Sequence, residues 1–265
     1  MLLTVHGLSA LLMMMGPLMV AAVLLRRLKG SWRLFWAGGA IFMLSQVVHI
    51  PLNAIVAQLF ATGALPMPPE GARSVLLALG LGLSAGLCEE LARYIGLTRV
   101  LKKARSWGAG VNLGLGHGGA EAMILGALSL LTLVQMITIQ QSGLEALGVP
   151  EEQLAQVQAQ VDQYWEQNPL MPLVGVVERV GAMCAHVCMN VLVMRAVMTG
   201  EKRWLVASIG WHTALNAGAV LLLPYGAAAA EGWVLLMAAA AVAATLAMRQ
   251  SLSLIHISEP TRQIR

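Results

Sequence analysis

Leu87-Cys88-Glu89-Glu90-Leu91-Ala92-Arg93-Tyr94 lies inside an apolar run from Ser74 to about Val100, so two carboxylates and a guanidinium interrupt a segment that otherwise reads as membrane helix. In hydrocarbon such groups are costly enough to mark function by default. The same reading extends to the whole chain. Of its 265 residues 58% are hydrophobic and 11% charged, and the mean hydropathy of +0.72 is far outside the range of soluble domains. The expectation is an all-α, polytopic transmembrane bundle. The formal net charge of +4 sits in short clusters at helix ends and leaves no basic face, which speaks for membrane orientation and against nucleic acid.

Outward from that stretch, seven spans can be laid down. The first is Val5 to Leu25, followed rather than preceded by its charges (Arg26, Arg27, Lys29, Arg33), the reverse of a signal peptide. The second, about Leu34 to Phe60, is interrupted by Pro51. The third is Ser74 to about Val100, and the fourth, about Val111 to Gln140, begins with glycines at 114, 116, 118 and 119 that permit close helix contact or local unwinding. The fifth is Leu170 to Met198, the sixth Trp204 to Leu223 and the seventh about Trp233 to Met248.

With the N-terminus outside and the C-terminus cytoplasmic, every basic cluster falls on one side, and Arg73 is the only lysine or arginine in the outer loops. The setting is a multi-pass cell membrane. Residues 141–169 form an acidic outer loop in which Leu154, Val157, Val161, Tyr164 and Trp165 recur at helical spacing, so it is expected to carry a short interfacial helix. Residues 1–250 then make a single transmembrane domain. The tail 251–265 breaks the pattern, resembles translated sequencing-adapter read-through, and is set aside together with His256.

At 1.5 Å per residue, Glu90 lies about 18 Å along its helix from Lys102 and His117 about 18 Å from Arg105, while His186 and His212 lie about 14 Å from Arg195 and Arg203. In a core about 30 Å thick all four reach the midplane. Glu89/Arg93, His117/Glu121, His186/Asn190 and His212/Asn216 are each four apart, which puts each pair on one helix face and lets all of them address a common cavity. One arginine cannot neutralise both glutamates, so one carboxylate is left for chemistry. His49, with no ionisable partner in its span, reads as core or interface. Glu178 and Arg179 point about 100° apart and fit either a structural pair or an outer role.

Several chemistries drop out. An aspartyl dyad needs two membrane aspartates and the chain has only Asp162; the zinc motif His-Glu-x-x-His is absent. Cys184 and Cys188 each lie about 200° from His186 on the helical wheel, so they cannot share a metal with it. Cys88 is also within an apolar segment, and no disulfide framework is expected. Gly82-Leu83-Ser84-Ala85-Gly86 fits Gly-x-Ser-x-Gly, but small residues are common in membrane helices, and a Ser–His reading leaves Glu89, Glu90, Arg93 and Glu121 idle. What remains is water activation by carboxylate and imidazole.

As an ordered set over residues 1 to 248, Glu89-Glu90-x-x-Arg93-Tyr94, Gly116-His117-Gly118-Gly119-x-Glu121, His186-x-x-x-Asn190 and His212-x-x-x-Asn216 resemble the glutamic-type intramembrane proteases related to type II CAAX prenyl proteases. The YhfC-like and PrsW-like membrane peptidases are the nearest of these. The resemblance implies an intramembrane endopeptidase of a bacterial plasma membrane acting on a membrane-anchored protein or peptide. It makes Glu89 the general base, Arg93 its orienting partner, and His186 with Asn190 the oxyanion donors. Two departures leave the water-sharing residue open: two residues rather than three separate Glu90 from Arg93, and His117 is followed by Glu121 where the prenyl proteases have a phenylalanine followed by histidine. A metal-free mechanism is favoured, the alternative being zinc held by His117, His186 and His212. A proton- or cation-coupled transporter and a catalytically silent scaffold subunit are the other classes the same charges could serve.

Overall fold

A computed structural model describes residues 1–144 and 148–258, the side chains of 251 and 253–258 excepted; Glu145, the His256 side chain and the end of the tail from 259 lie outside what is described. The described chain is helical throughout, with no strand. Helices α1 (Leu2–Arg27), α2 (Trp32–Ala61), α3 (Glu70–Ile95), α4 (Trp107–Ser142), α6 (Met171–Thr199), α7 (Arg203–Leu222) and α8 (Ala227–Ser258) follow one another through short connections, except between α4 and α6. Seven of the described helices are long and apolar enough to cross a membrane. Helix α3 runs on into a π-helical turn, Gly96–Val100, and α7 into a 3₁₀ turn, Leu223–Tyr225. The acidic segment forms α5 (Glu151–Glu166), whose Val161 packs with Ile139 in the last turns of α4 and with Leu144 just past it.

Pro51 does not interrupt α2, which is continuous from Trp32 to Ala61, just as α1 is continuous through Pro17. Proline removes its own N–H from the helix ladder and crowds the carbonyl four residues back, and membrane helices tolerate this where neighbouring groups and small local adjustments satisfy the freed backbone. Helix α8 likewise continues past the expected end of the last span to Ser258, with Leu252 fully buried.

Helices α4 and α6 form the centre. In its most apolar window α6 is 72% buried, against 11% for α2. The glycine run at the start of α4 gives close contact and no unwinding. A Cβ at Gly116 would stand 1.7 Å from the Phe35 carbonyl oxygen, and one at Gly38 would stand 2.1 Å from that of Leu113, so α2 and α4 touch backbone to backbone. Small residues are what allow this where no hydrophobic drive exists between helices. The contact is confined to one half of α2: its buried residues are Phe35, Gly38, Gly39, Phe42 and Ser45, and none follows Ser45. The α2 side of the bundle is therefore tight toward the end carrying the basic clusters and looser toward the end carrying α5.

Candidate active site

Where the tight half gives way to the loose half, α3, α4, α6 and α7 bring their polar side chains together. Glu89, Glu90, Arg93, His117, His186 and His212 are all buried, although they come from four helices. The imidazoles form a file, with ring centroids 5.0 Å apart between His117 and His186 and 5.5 Å between His186 and His212. A cavity of about 300 Å³ opens beside them, lined by Glu89, Glu121, His186, His212 and Asn216 among others.

The two adjacent glutamates face different surroundings. Glu90 is wholly enclosed: Arg93 donates to its Oε1, His212 Nδ1 lies 2.9 Å from the same oxygen, and Ser208 donates to Oε2 at 2.6 Å. Glu89 lines the cavity. Its Oε2 is 2.8 Å from His117 Nε2, 3.7 Å from the Arg93 guanidinium and 4.0 Å from His212 Nε2, and its Oε1 accepts from Gln46 Nε2 at 3.3 Å.

Arg93 fixes proton positions. A guanidinium only donates, so Nδ1 of His117 (3.3 Å from its Nε) and Nδ1 of His186 (2.7 Å from its terminal nitrogen) both accept. With neutral rings the proton is on Nε2, which donates from His117 to Glu89 and from His186 to Glu121 at 2.7 Å. By the same reasoning a neutral His212 donates Nδ1–H to Glu90 and turns the Nε2 lone pair toward Glu89.

The remaining predicted residues divide. Glu121 lines the cavity and is tied to Arg179 at 2.9 Å; Arg179 also binds Glu178, and both residues of that pair reach the cavity wall. Asn216 is on the wall as well. Asn190 is elsewhere: buried, it donates to the Gly110 carbonyl at 3.1 Å and clips α6 to α4 on the basic side of His186. Gly82 and Gly86 are packing positions, since a Cβ there would meet the Thr213 and Ile209 carbonyl oxygens of α7 at 2.7 and 3.0 Å. Cys88, Cys184 and Cys188 are free thiols.

Two wall residues escaped sequence reasoning. Gln46 and His49 of α2 both face the cavity, and His49, expected at the core or an interface, makes contacts to Gln46, Asn53 and Ser84. The available signal was the spacing 46, 49, 53, which puts three polar residues on one side of an otherwise apolar helix half.

Ligand atoms of Glu89, His117 and His186 lie within 4.8 Å of one another. Two imidazoles and a carboxylate are a donor set that zinc accepts, so these residues fit a metal by type and spacing. His212 lies outside that spacing, although with Nδ1–H on Glu90 its Nε2 lone pair is turned toward Glu89.

Fold and site together define a polytopic helical membrane protein with a buried carboxylate–imidazole centre beside a cavity. The YhfC intramembrane metalloprotease family profile matches residues 10–242, and the chain belongs to that family. It is similar to the uncharacterized membrane protein YhfC of Bacillus subtilis (strain 168), 29% identical over 140 residues, which cover 52% of this chain and 54% of the relative. The match thus spans about half the length of that relative. No solved structure matches.

Proposed function

We propose that the protein is an intramembrane endopeptidase that hydrolyses a peptide bond of a membrane-associated protein or peptide, with Glu89 as the base. The carrying observation is the division of the doublet: Glu90 is enclosed by Arg93, His212 and Ser208, while Glu89 faces the cavity with Oε2 4.0 Å from His212 Nε2. One water can bridge two acceptors at that separation. Glu89 takes a proton from this water as its oxygen attacks the scissile carbonyl carbon. The proton then passes to the leaving nitrogen as the C–N bond breaks. His117 Nε2–H holds Oε2 of Glu89 in place, and the Asn216 amide, on the same wall, supplies N–H groups for the developing oxyanion. Asn190 acts indirectly by fixing α6 against α4.

The test compares the membrane peptides of cells carrying the wild-type and Glu89→Gln proteins by quantitative mass spectrometry. Cleavage products are expected to fall by about 10²- to 10⁴-fold in the variant. Equal yields from both proteins would overturn the proposal.

A second reading is favoured by the family description and by the Glu89, His117 and His186 cluster. A zinc ion held by these three would supply an activated water and polarise the carbonyl. Binding through Nε2 leaves a neutral ring's proton on Nδ1, where Arg93 already points its own N–H groups, so loading requires Arg93 to turn away. That conflict supports the metal-free route. Elemental analysis of purified protein decides between the two: stoichiometric zinc that is lost in His117→Ala would establish the metal reading.

A further inference from the structure

Helix α2 carries a polar ladder that the proposed chemistry does not use. In the half beyond Ser45, where apolar residues such as Val47, Val48, Ile50 and Ile55 are exposed, Gln46, His49 and Asn53 share one side, and His49 and Asn53 meet Ser84 of α3. We propose that Gln46 is a positioning residue for Glu89, held in place by His49, Asn53 and Ser84. The proposal rests on the reading of Glu89 as the base and adds what orients it.

The hydrogen-bond directions carry the argument. Ser45 Oγ donates to the Phe42 carbonyl at 2.6 Å, so toward Gln46 it can only accept. Gln46 Nε2 lies 3.3 Å from that Ser45 oxygen and 3.3 Å from Glu89 Oε1, two acceptors. The carboxamide is thereby fixed in one sense, since turning it over would set its oxygen against a carboxylate. Its Oε1 is then the acceptor for His49 Nδ1 at 3.2 Å, which puts the His49 proton on Nδ1 and leaves Nε2 to accept from Asn53 Nδ2 at 3.0 Å. Ser84 closes the ladder: its hydroxyl is 2.9 Å from Asn53 Oδ1 and 3.3 Å from His49 Nε2. From Asn53 through His49 and Gln46 every donor points toward Glu89.

A ladder that merely satisfied itself in hydrocarbon would end at its own members. This one ends on Oε1 of the cavity-facing carboxylate, and Gln46 and His49 line the same cavity. With Oε1 held, Glu89 cannot rotate about its last torsion, and Oε2 stays between His117 and His212. Placing a reacting group in this way is a large part of what a site contributes to rate.

Infrared difference spectroscopy of the purified full-length protein tests the idea at a fixed pH and without a substrate. Subtracting the Glu89→Gln spectrum isolates the Glu89 carboxylate bands, whose separation reports unequal hydrogen bonding of the two oxygens. Gln46→Ala is expected to shift the antisymmetric stretch, and His49→Ala to shift it less in the same direction while leaving Gln46 present. Should Gln46→Ala not fold, the His49→Ala spectrum carries the test alone. Bands unmoved in the folded variants would overturn the proposal. Unchanged proteolysis by Glu89→Gln would instead sink the catalytic reading and leave a band shift standing, so the two failures are distinguishable. Where cleavage of a cellular substrate is found, Gln46→Ala should lower turnover by about 10- to 100-fold with KM unchanged.

Discussion

Glu89 and Glu90 are neighbours in one helix and have the same side chain, yet the regions they face are opposites. The Glu90 side is closed: Arg93, His212 and Ser208 meet both of its oxygens, and the helices around it touch through glycines. The Glu89 side is open: its second oxygen reaches a cavity whose wall includes the part of α2 that buries no residue beyond Ser45. The closed region holds a fixed charge pattern, and the open one leaves a cavity that, on the proposed function, takes water and substrate. A buried ion pair contributes little net stability, but losing one partner is costly because the other charge remains. Glu90 is thus expected to act on stability and Glu89 on rate.

The strongest break of that contrast is Glu90→Gln. It leaves the buried Arg93 charge without its close partner, and a destabilisation of about 3–5 kcal/mol is expected. The midpoint of denaturation in mixed micelles reads it, and Glu89→Gln should stay near wild type in the same assay. If the two variants lose equal stability, the division between closed and open sides fails.

Next in size is Gly116→Ala. Its Cβ would meet the Phe35 carbonyl oxygen at 1.7 Å, so α2 must move off α4, at about 1–3 kcal/mol for overpacking. Gly80→Ala, on the exposed side of α3, meets nothing within 4 Å and should be tolerated. Equal effects in the same unfolding assay would show that the contact between α2 and α4 is not the tight one.

Much of this arrangement could be read from residues alone. Seven long apolar runs with basic residues at alternate ends lead to the bundle, and a rise of 1.5 Å per residue places Glu90, His117, His186 and His212 at one depth. What could not be read is rotation about each helix axis, which packing decides. Asn190 and His186 share a face, yet the closeness of α4 gives Asn190 the Gly110 carbonyl, while Asn216 reaches the cavity. Glu89 and Glu90 differ only in which neighbour each meets. Gln46 went unmarked because a neutral amide barely registers in a hydropathy profile, and Pro51 seemed a break because a single missing N–H looks larger in sequence than in a 30-residue helix.

The smallest effect concerns how the open half is held at its far end. There α5 is tied to α1 by one buried imidazole: Gln167 Nε2 donates to His6 Nε2 at 3.2 Å, so His6 Nδ1–H donates to the Tyr164 hydroxyl at 2.8 Å. Burial pushes the Tyr164 hydroxyl above its ordinary pKa, so it stays protonated while its oxygen accepts that hydrogen bond. Tyr164→Phe removes the acceptor and leaves a buried N–H unmet, while the Gln167 bond and the Val161 contacts remain. The expected loss is about 0.5–1.5 kcal/mol, read as faster proteolytic nicking of the segment around α5 with the denaturation midpoint of the bundle nearly unchanged. Since neither Glu89 nor Glu90 touches this latch, a Tyr164→Phe protein as destabilised as Glu90→Gln would mean that the open half is held from its rim and not from the carboxylate centre.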